Sequence, residues 1–121
     1  MRVAVCENSS GGAQQLCSWI EQYCELYRLP VCLQRFLKPE LFETCSGVFD
    51  IAFLGFGGGV GFLAARALRD RDRNCKIILI DDTPEFAIPS VRIHCTDFIL
   101  RPVEFRRVVQ SMRLATGGGA R

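Results

Sequence analysis

Three groups of residues in this chain are of the types that chemistry uses. The first is the stretch Phe53-Leu54-Gly55-Phe56-Gly57-Gly58-Gly59-Val60-Gly61-Phe62, in which five of ten residues are glycine. Glycine-rich turns between a strand and a helix cradle phosphate, because bare backbone N–H groups can approach the anion closely. The second group is acidic: Glu7, followed by Asn8, and the pair Asp81-Asp82. Carboxylates supply oxygen ligands to divalent cations and can act as nucleophiles. The third is Arg101, whose planar fork suits a phosphate or a carboxylate. Plainer readings stand beside these. Asp81-Asp82 reads more readily as a solvated acidic turn than as a metal site. Arg101 reads more readily as the internal partner of Glu7 or Asp81 than as a binder of external anions.

Composition narrows the choice. The chain has 121 residues, 49% of them hydrophobic, which suits one domain with a packed core. A formal charge of +2 is too small to argue for nucleic acid by itself. Arg106, Arg107 and Arg113 read as a solvated helix face rather than a basic patch. No apolar run approaches the roughly 20 residues of a membrane-spanning helix, and MRVAVCENSS does not resemble a secretory signal, so the cytoplasm is the expected compartment. Seven cysteines (Cys6, Cys17, Cys24, Cys32, Cys45, Cys75 and Cys95) show no C-x-x-C spacing, and His94 is the single histidine. That pattern predicts reduced, mostly buried thiols and no bound metal.

The elements that must position these groups alternate. Short β-branched or apolar runs at Arg2–Cys6, Val31–Phe36, Asp50–Leu54, Lys76–Ile80 and Asp97–Leu100 predict five strands. Ser9 and Ser10 can cap a helix whose apolar stripe is Ala13, Leu16, Cys17, Ile20, Cys24 and Tyr27. Further helices are predicted over Pro39–Cys45, Phe62–Arg69, a weak one over Pro84–Ser90 interrupted by Pro89, and Val103–Leu114. Strands with little alternation imply a parallel sheet covered on both faces. Functional groups in such a sheet gather at the carboxyl ends of its strands.

Two readings compete for the glycine run. Gly59-x-Gly61-x-x-Ala64 fits a loose dinucleotide fingerprint with Asp81 as the downstream acid. Against it, Gly59 lies too far past the strand, and Val60 stands where the third glycine of the better-placed set beginning at Gly55 belongs. The Lys-Ser/Thr end of a P-loop is missing as well.

The other reading rests on resemblance. DIAFLG, NCKIILIDDTPEFA and VRIHCTDFILRP resemble, in order along the chain, a response-regulator receiver domain of the kind that precedes LytTR-type DNA-binding domains. His94, Asp97, Phe98 and Pro102 keep the frame of that family's V-H-A-F-D-Y-L-L-K-P stretch. The resemblance implies a doubly wound, flavodoxin-like α/β fold with a five-stranded parallel sheet in the order 2-1-3-4-5, and a cis bond before Pro102. It also implies what has been lost. The family's acidic pair corresponds to Glu7 and Asn8, its phosphoaccepting aspartate to Gly55, its Thr/Ser to Asp81 and its Lys to Arg101. Gly55 offers no nucleophile, so the glycine run reads as a decayed acidic loop.

The expectation is therefore a receiver-like domain over residues 1–115 with a flexible tail over 116–121. Glu7, Asn8, Gly55, Asp81 and Arg101 would form a degenerate phosphoacceptor pocket without catalytic residues, cofactor or metal. Such a domain would act in two-component-type signalling or transcriptional regulation, through a protein partner or homodimer. Leu63 and Ala67 are candidates for a small interaction surface. DNA would be reached only through a domain outside this chain. The rival is a small nucleotide- or dinucleotide-binding protein using Gly55–Gly61.

Overall fold

The computed structural model describes residues 1–117. Along the chain it places β1 (Arg2–Glu7), α1 (Ser10–Leu26), β2 (Cys32–Phe36), α2 (Pro39–Glu43), β3 (Ile51–Gly55), α3 (Gly58–Arg71), β4 (Lys76–Asp81), a 3₁₀ turn (Pro84–Phe86), α4 (Ala87–Arg92), β5 (Asp97–Leu100) and α5 (Phe105–Thr116). The five strands are all parallel, in the order β2-β1-β3-β4-β5. This is the doubly wound topology expected from the sequence, with its switch point between β1 and β3.

Successive strand residues point to opposite faces, and both faces are buried. Val3, Val5, Ile51, Phe53, Ile78, Ile80 and Ile99 pack under α1 and α5. Ala4, Cys6, Ala52, Leu54, Ile77 and Leu79 pack under α3 and the cluster of Phe36, Phe42 and Phe49. That arrangement accounts for the continuous apolar runs of β1, β3 and β4.

Several local expectations are corrected. The stripe of α1 passes through Tyr23, which is buried, and not Tyr27, which is half exposed because the helix ends at Leu26. Ser9 caps α1 as expected, accepting from the Gly12 N–H at 2.9 Å. Helix α3 begins at Gly58 rather than Phe62, so most of the glycine run is helix rather than loop. Gly57 and Gly58 have φ of +83° and +59°, which turns the chain sharply from β3 into that helix. Pro89 does not interrupt α4: it is the helix's third residue, where the N–H has no intrahelical partner to lose. Helix α5 runs to Thr116, one residue into the expected tail, and Gly117 closes it in the left-handed conformation. Residues 118–121, the rest of that tail, lie outside the described residues.

All seven cysteines are free thiols; Cys6, Cys17, Cys24 and Cys75 are buried, Cys45 and Cys95 half-buried, and Cys32 exposed on the edge strand β2. Burial raises the thiols of Cys6, Cys17 and Cys24 above the ordinary 9.0 and pushes Cys75 up to about 12 and Cys95 to about 11. No described helix is long and apolar enough to cross a membrane.

The raised thiols set a pH dependence. An unfolded thiol ionises near pH 9 while the buried ones keep their protons, so the folded state holds more protons above that pH. Stability from this source is complete below pH 9 and is lost as pH rises toward about 12. The melting temperature is expected to fall steadily across that window, and replacing Cys75 and Cys95 by alanine should flatten the slope. On native protein an alkylating reagent should modify Cys32 first; after unfolding it should reach all seven cysteines.

Candidate functional site

The carboxyl ends of β1, β3 and β4, with the residue after β5, meet above the switch point. Glu7 ends β1 and lies in register with Gly55, which ends β3. Asp81 ends β4, and its carbonyl accepts from the Arg101 N–H at 2.8 Å. The Arg101-Pro102 bond is cis.

Arg101 reaches from the end of β5 across β4 to the far side of β3. Its Nη2 donates to both carboxylate oxygens of Glu7 at 2.8 Å and to the carbonyl of Gly55 at 2.6 Å. Its Nη1 faces Asp82 at 3.5 Å. Glu7 is 8% exposed and the Arg101 side chain 24%, so the pair is largely withdrawn from water. Burial acts to lower the Arg101 pKa, but the hydrogen bond and charge of Glu7, helped by Asp82, outweigh it and hold the guanidinium above its ordinary value.

Gly55 makes this contact possible. A Cβ there would lie 2.8 Å from Glu7 Oε2, 2.9 Å from the Cys6 carbonyl oxygen and 3.0 Å from Arg101 Nη2. The Cys6 carbonyl is sheet backbone and cannot swing aside. Arg101 therefore occupies space that any side chain at position 55 would contest.

The other two candidates sit beside this pair and bond elsewhere. Asp81 does not pair with Arg101: its two oxygens accept from the Gly58 N–H at 3.1 Å, and Oδ1 also accepts from the Asp82 N–H at 2.7 Å. At 4% exposure Asp81 is no solvated turn; of the acidic pair only Asp82, with its side chain 72% exposed, matches that reading. A carboxylate at the first turn of α3 is favoured by the free N–H groups and by the helix dipole. Asn8 donates to the Phe56 carbonyl at 2.8 Å, fastening the β1–α1 turn to the segment after β3. Sequence reasoning missed both loop ties, although Asn8 beside Glu7 and Asp81 opposite a glycine run were signals for them. On α5, Arg107 is no solvated charge either. It bonds Asp97 at 3.2 Å, and Ser111 donates to the same carboxylate at 2.6 Å, locking α5 onto β5.

Receiver domains are expected to hold magnesium on oxygen ligands at this edge. These residues do not fit that ion. Both oxygens of Glu7 and the carbonyl of Gly55 already face one guanidinium nitrogen, and the oxygens of Asp81 face backbone N–H groups. A divalent cation would have to displace a fixed cation from the same oxygens.

The strand order and the convergence of the strand ends define the fold of response-regulator receiver domains, and solved structures agree. The beryllium-fluoride-activated DrrB receiver domain superimposes with a TM-score of 0.80 at 14% identity, over 96% of this chain and 97% of that one. The response regulator DrrB, an OmpR/PhoB homolog of Thermotoga maritima, gives the same score at 14% identity over 98% of this chain, which spans about half (53%) of that one. The response regulatory domain of MrkE from Klebsiella pneumoniae superimposes over 100% of both chains with a TM-score of 0.75 at 19% identity. No family model and no curated protein sequence matches the chain.

Two measurements probe the geometry. Gly55→Ala is expected to lose about 1–3 kcal/mol in chemical denaturation, as an overpacked site does. A double-mutant cycle with Glu7→Gln and Arg101→Met should give a coupling of about 1–3 kcal/mol, because each single change strands the other partner's polar group.

Proposed function

We propose that this chain is a degenerate receiver that takes part in two-component-type signal transduction or transcriptional regulation without being phosphorylated. It works as a protein-interaction or dimerisation module in the cytoplasm, has no catalytic role of its own, and meets DNA only through another domain. The observation that carries this reading is the Arg101–Glu7–Gly55 contact. A phosphoryl acceptor requires a carboxylate at position 55, and glycine has none. The room for one is filled by the guanidinium of Arg101, whose Nη2 is already bonded to Glu7 and to the Gly55 carbonyl. Exposed apolar side chains support the interaction half: Ile88, Val91 and Leu100 on α4 and β5, and Val60 and Leu63 on α3.

The nucleotide-binding rival is disfavoured by Asp81. Its buried carboxylate uses the first-turn N–H of α3 that a phosphate would need, and a phosphate brought there would meet like charge. In thermal melts NAD, FAD and ATP are each expected to leave the melting temperature unchanged; a rise with concentration for any of them would favour the rival.

Incubation with acetyl phosphate and magnesium should leave the intact mass unchanged. A hydroxylamine-labile phosphoryl adduct would overturn the reading.

A further inference from the structure

On the α1 side of Arg101 the surface opens into a pocket of about 220 Å³. One wall is apolar, made by Leu16, Trp19 and Val103; Ser9, Gln15 and Arg101 supply the polar groups. The Trp19 ring is braced against Phe105 at 6.2 Å between centroids, so the wall is fixed. Gly12 keeps the floor open: a Cβ there would meet Ser9 Oγ at 2.8 Å and Glu7 Cγ at 3.2 Å.

Arg101 lines the pocket and Asp82 lies outside the lining, and the charge of the guanidinium is unevenly used. Nη2 of Arg101 carries the three hydrogen bonds to Glu7 and Gly55. The other edge of the fork has only Asp82, at 3.5 Å on a largely exposed side chain. Glu7 also lines the pocket, but both its oxygens accept from Nη2, which offsets its charge. The amino end of the 17-residue helix α1 adds positive potential from the same side.

We propose that this pocket binds a small arylcarboxylate. The ring lies against Trp19, Leu16 and Val103. The carboxylate takes the free edge of the Arg101 fork and displaces Asp82. The volume suits one aromatic ring with a short acid arm. Displacing Asp82 releases its side chain while its N–H stays on Asp81, so the ligand changes the charge presented by the β4–α4 connection. This regulatory consequence rests on the phosphorylation-independent reading above; the binding itself does not.

The test is titration of the intact chain with phenylacetate, read by the fluorescence of Trp19, the single tryptophan, and by amide NMR. Saturable quenching at millimolar concentrations is expected, with shifts at Ser9, Gln15, Asp82 and Val103. Phenylacetamide, which lacks the charge, should bind about tenfold more weakly, a difference of about 1.4 kcal/mol. Acetate, which lacks the ring, should be weaker still. Asp82→Ala removes the competitor and should tighten phenylacetate several-fold. Gln15→Phe fills the pocket from an exposed position on α1 without adding a second tryptophan, and should abolish binding. Absence of saturable binding, equal affinity for phenylacetamide or acetate, or unaltered binding in the Asp82→Ala variant would each overturn the proposal. A chain that accepted phosphate from acetyl phosphate yet bound phenylacetate in this pattern would leave the pocket standing and remove the proposed function.

Discussion

The structure of the site depends on one guanidinium nitrogen. Nη2 of Arg101 bonds both oxygens of Glu7 and the carbonyl of Gly55, joining the ends of β1, β3 and β5 across the switch point. A lysine at this position would bring a point charge on a flexible stem. Arginine brings a planar fork, and its second nitrogen still reaches toward Asp82. The bond is largely withdrawn from water, so losing either partner would leave a polar group stranded rather than simply subtract a contact. Gly55 is the other half of the arrangement. It is the one residue type that leaves Arg101 a path to Glu7 without a collision with the Cys6 carbonyl.

Around this contact the loops are tied to each other. Asp81 holds the start of α3 by the Gly58 N–H, and Asn8 holds the Phe56 carbonyl, so the turns after β1, β3 and β4 support one another. A receiver that switches needs two arrangements of such loops and a ligand that binds them unequally. In this chain Nη2 of Arg101, both oxygens of Glu7 and the carboxylate of Asp81 are already engaged by neighbouring groups. A phosphoryl group that found no carboxylate at position 55 to join would shift no population of this edge.

The elements were legible in the sequence wherever burial alone decided them. Apolar runs such as DIAFL and KIILI are buried on both faces and could only be inner strands. What escaped depended on backbone direction and on choices between equivalent partners. The start of α3 was hidden because glycines are poor helix formers; their positive φ values and the Asp81 carboxylate set that boundary. Tyr27 continues the apolar spacing of α1, but the helix stops one residue short of it and Tyr23 takes the inner place. Arg101 had two acids within reach in the sequence. Its choice of Glu7 over Asp81 follows from the N–H groups that had already engaged Asp81. Trp19 and Gly12, which shape the pocket beside Arg101, carried no signal beyond helical spacing and a capped first turn.

The central claim is that the receiver site is filled from inside the chain. Beryllofluoride with magnesium mimics an acyl phosphate when an aspartate carboxylate is available to bind it. Two-dimensional NMR of labelled protein, titrated with both, reads the site most directly through the amides of Gly58 and Asp82, whose N–H groups Asp81 now holds. The account predicts that neither resonance moves and that no new set of peaks grows in. Saturable shifts at these amides, spreading to β5 and Arg101, would show that the site still takes an acyl-phosphate mimic and would contradict it.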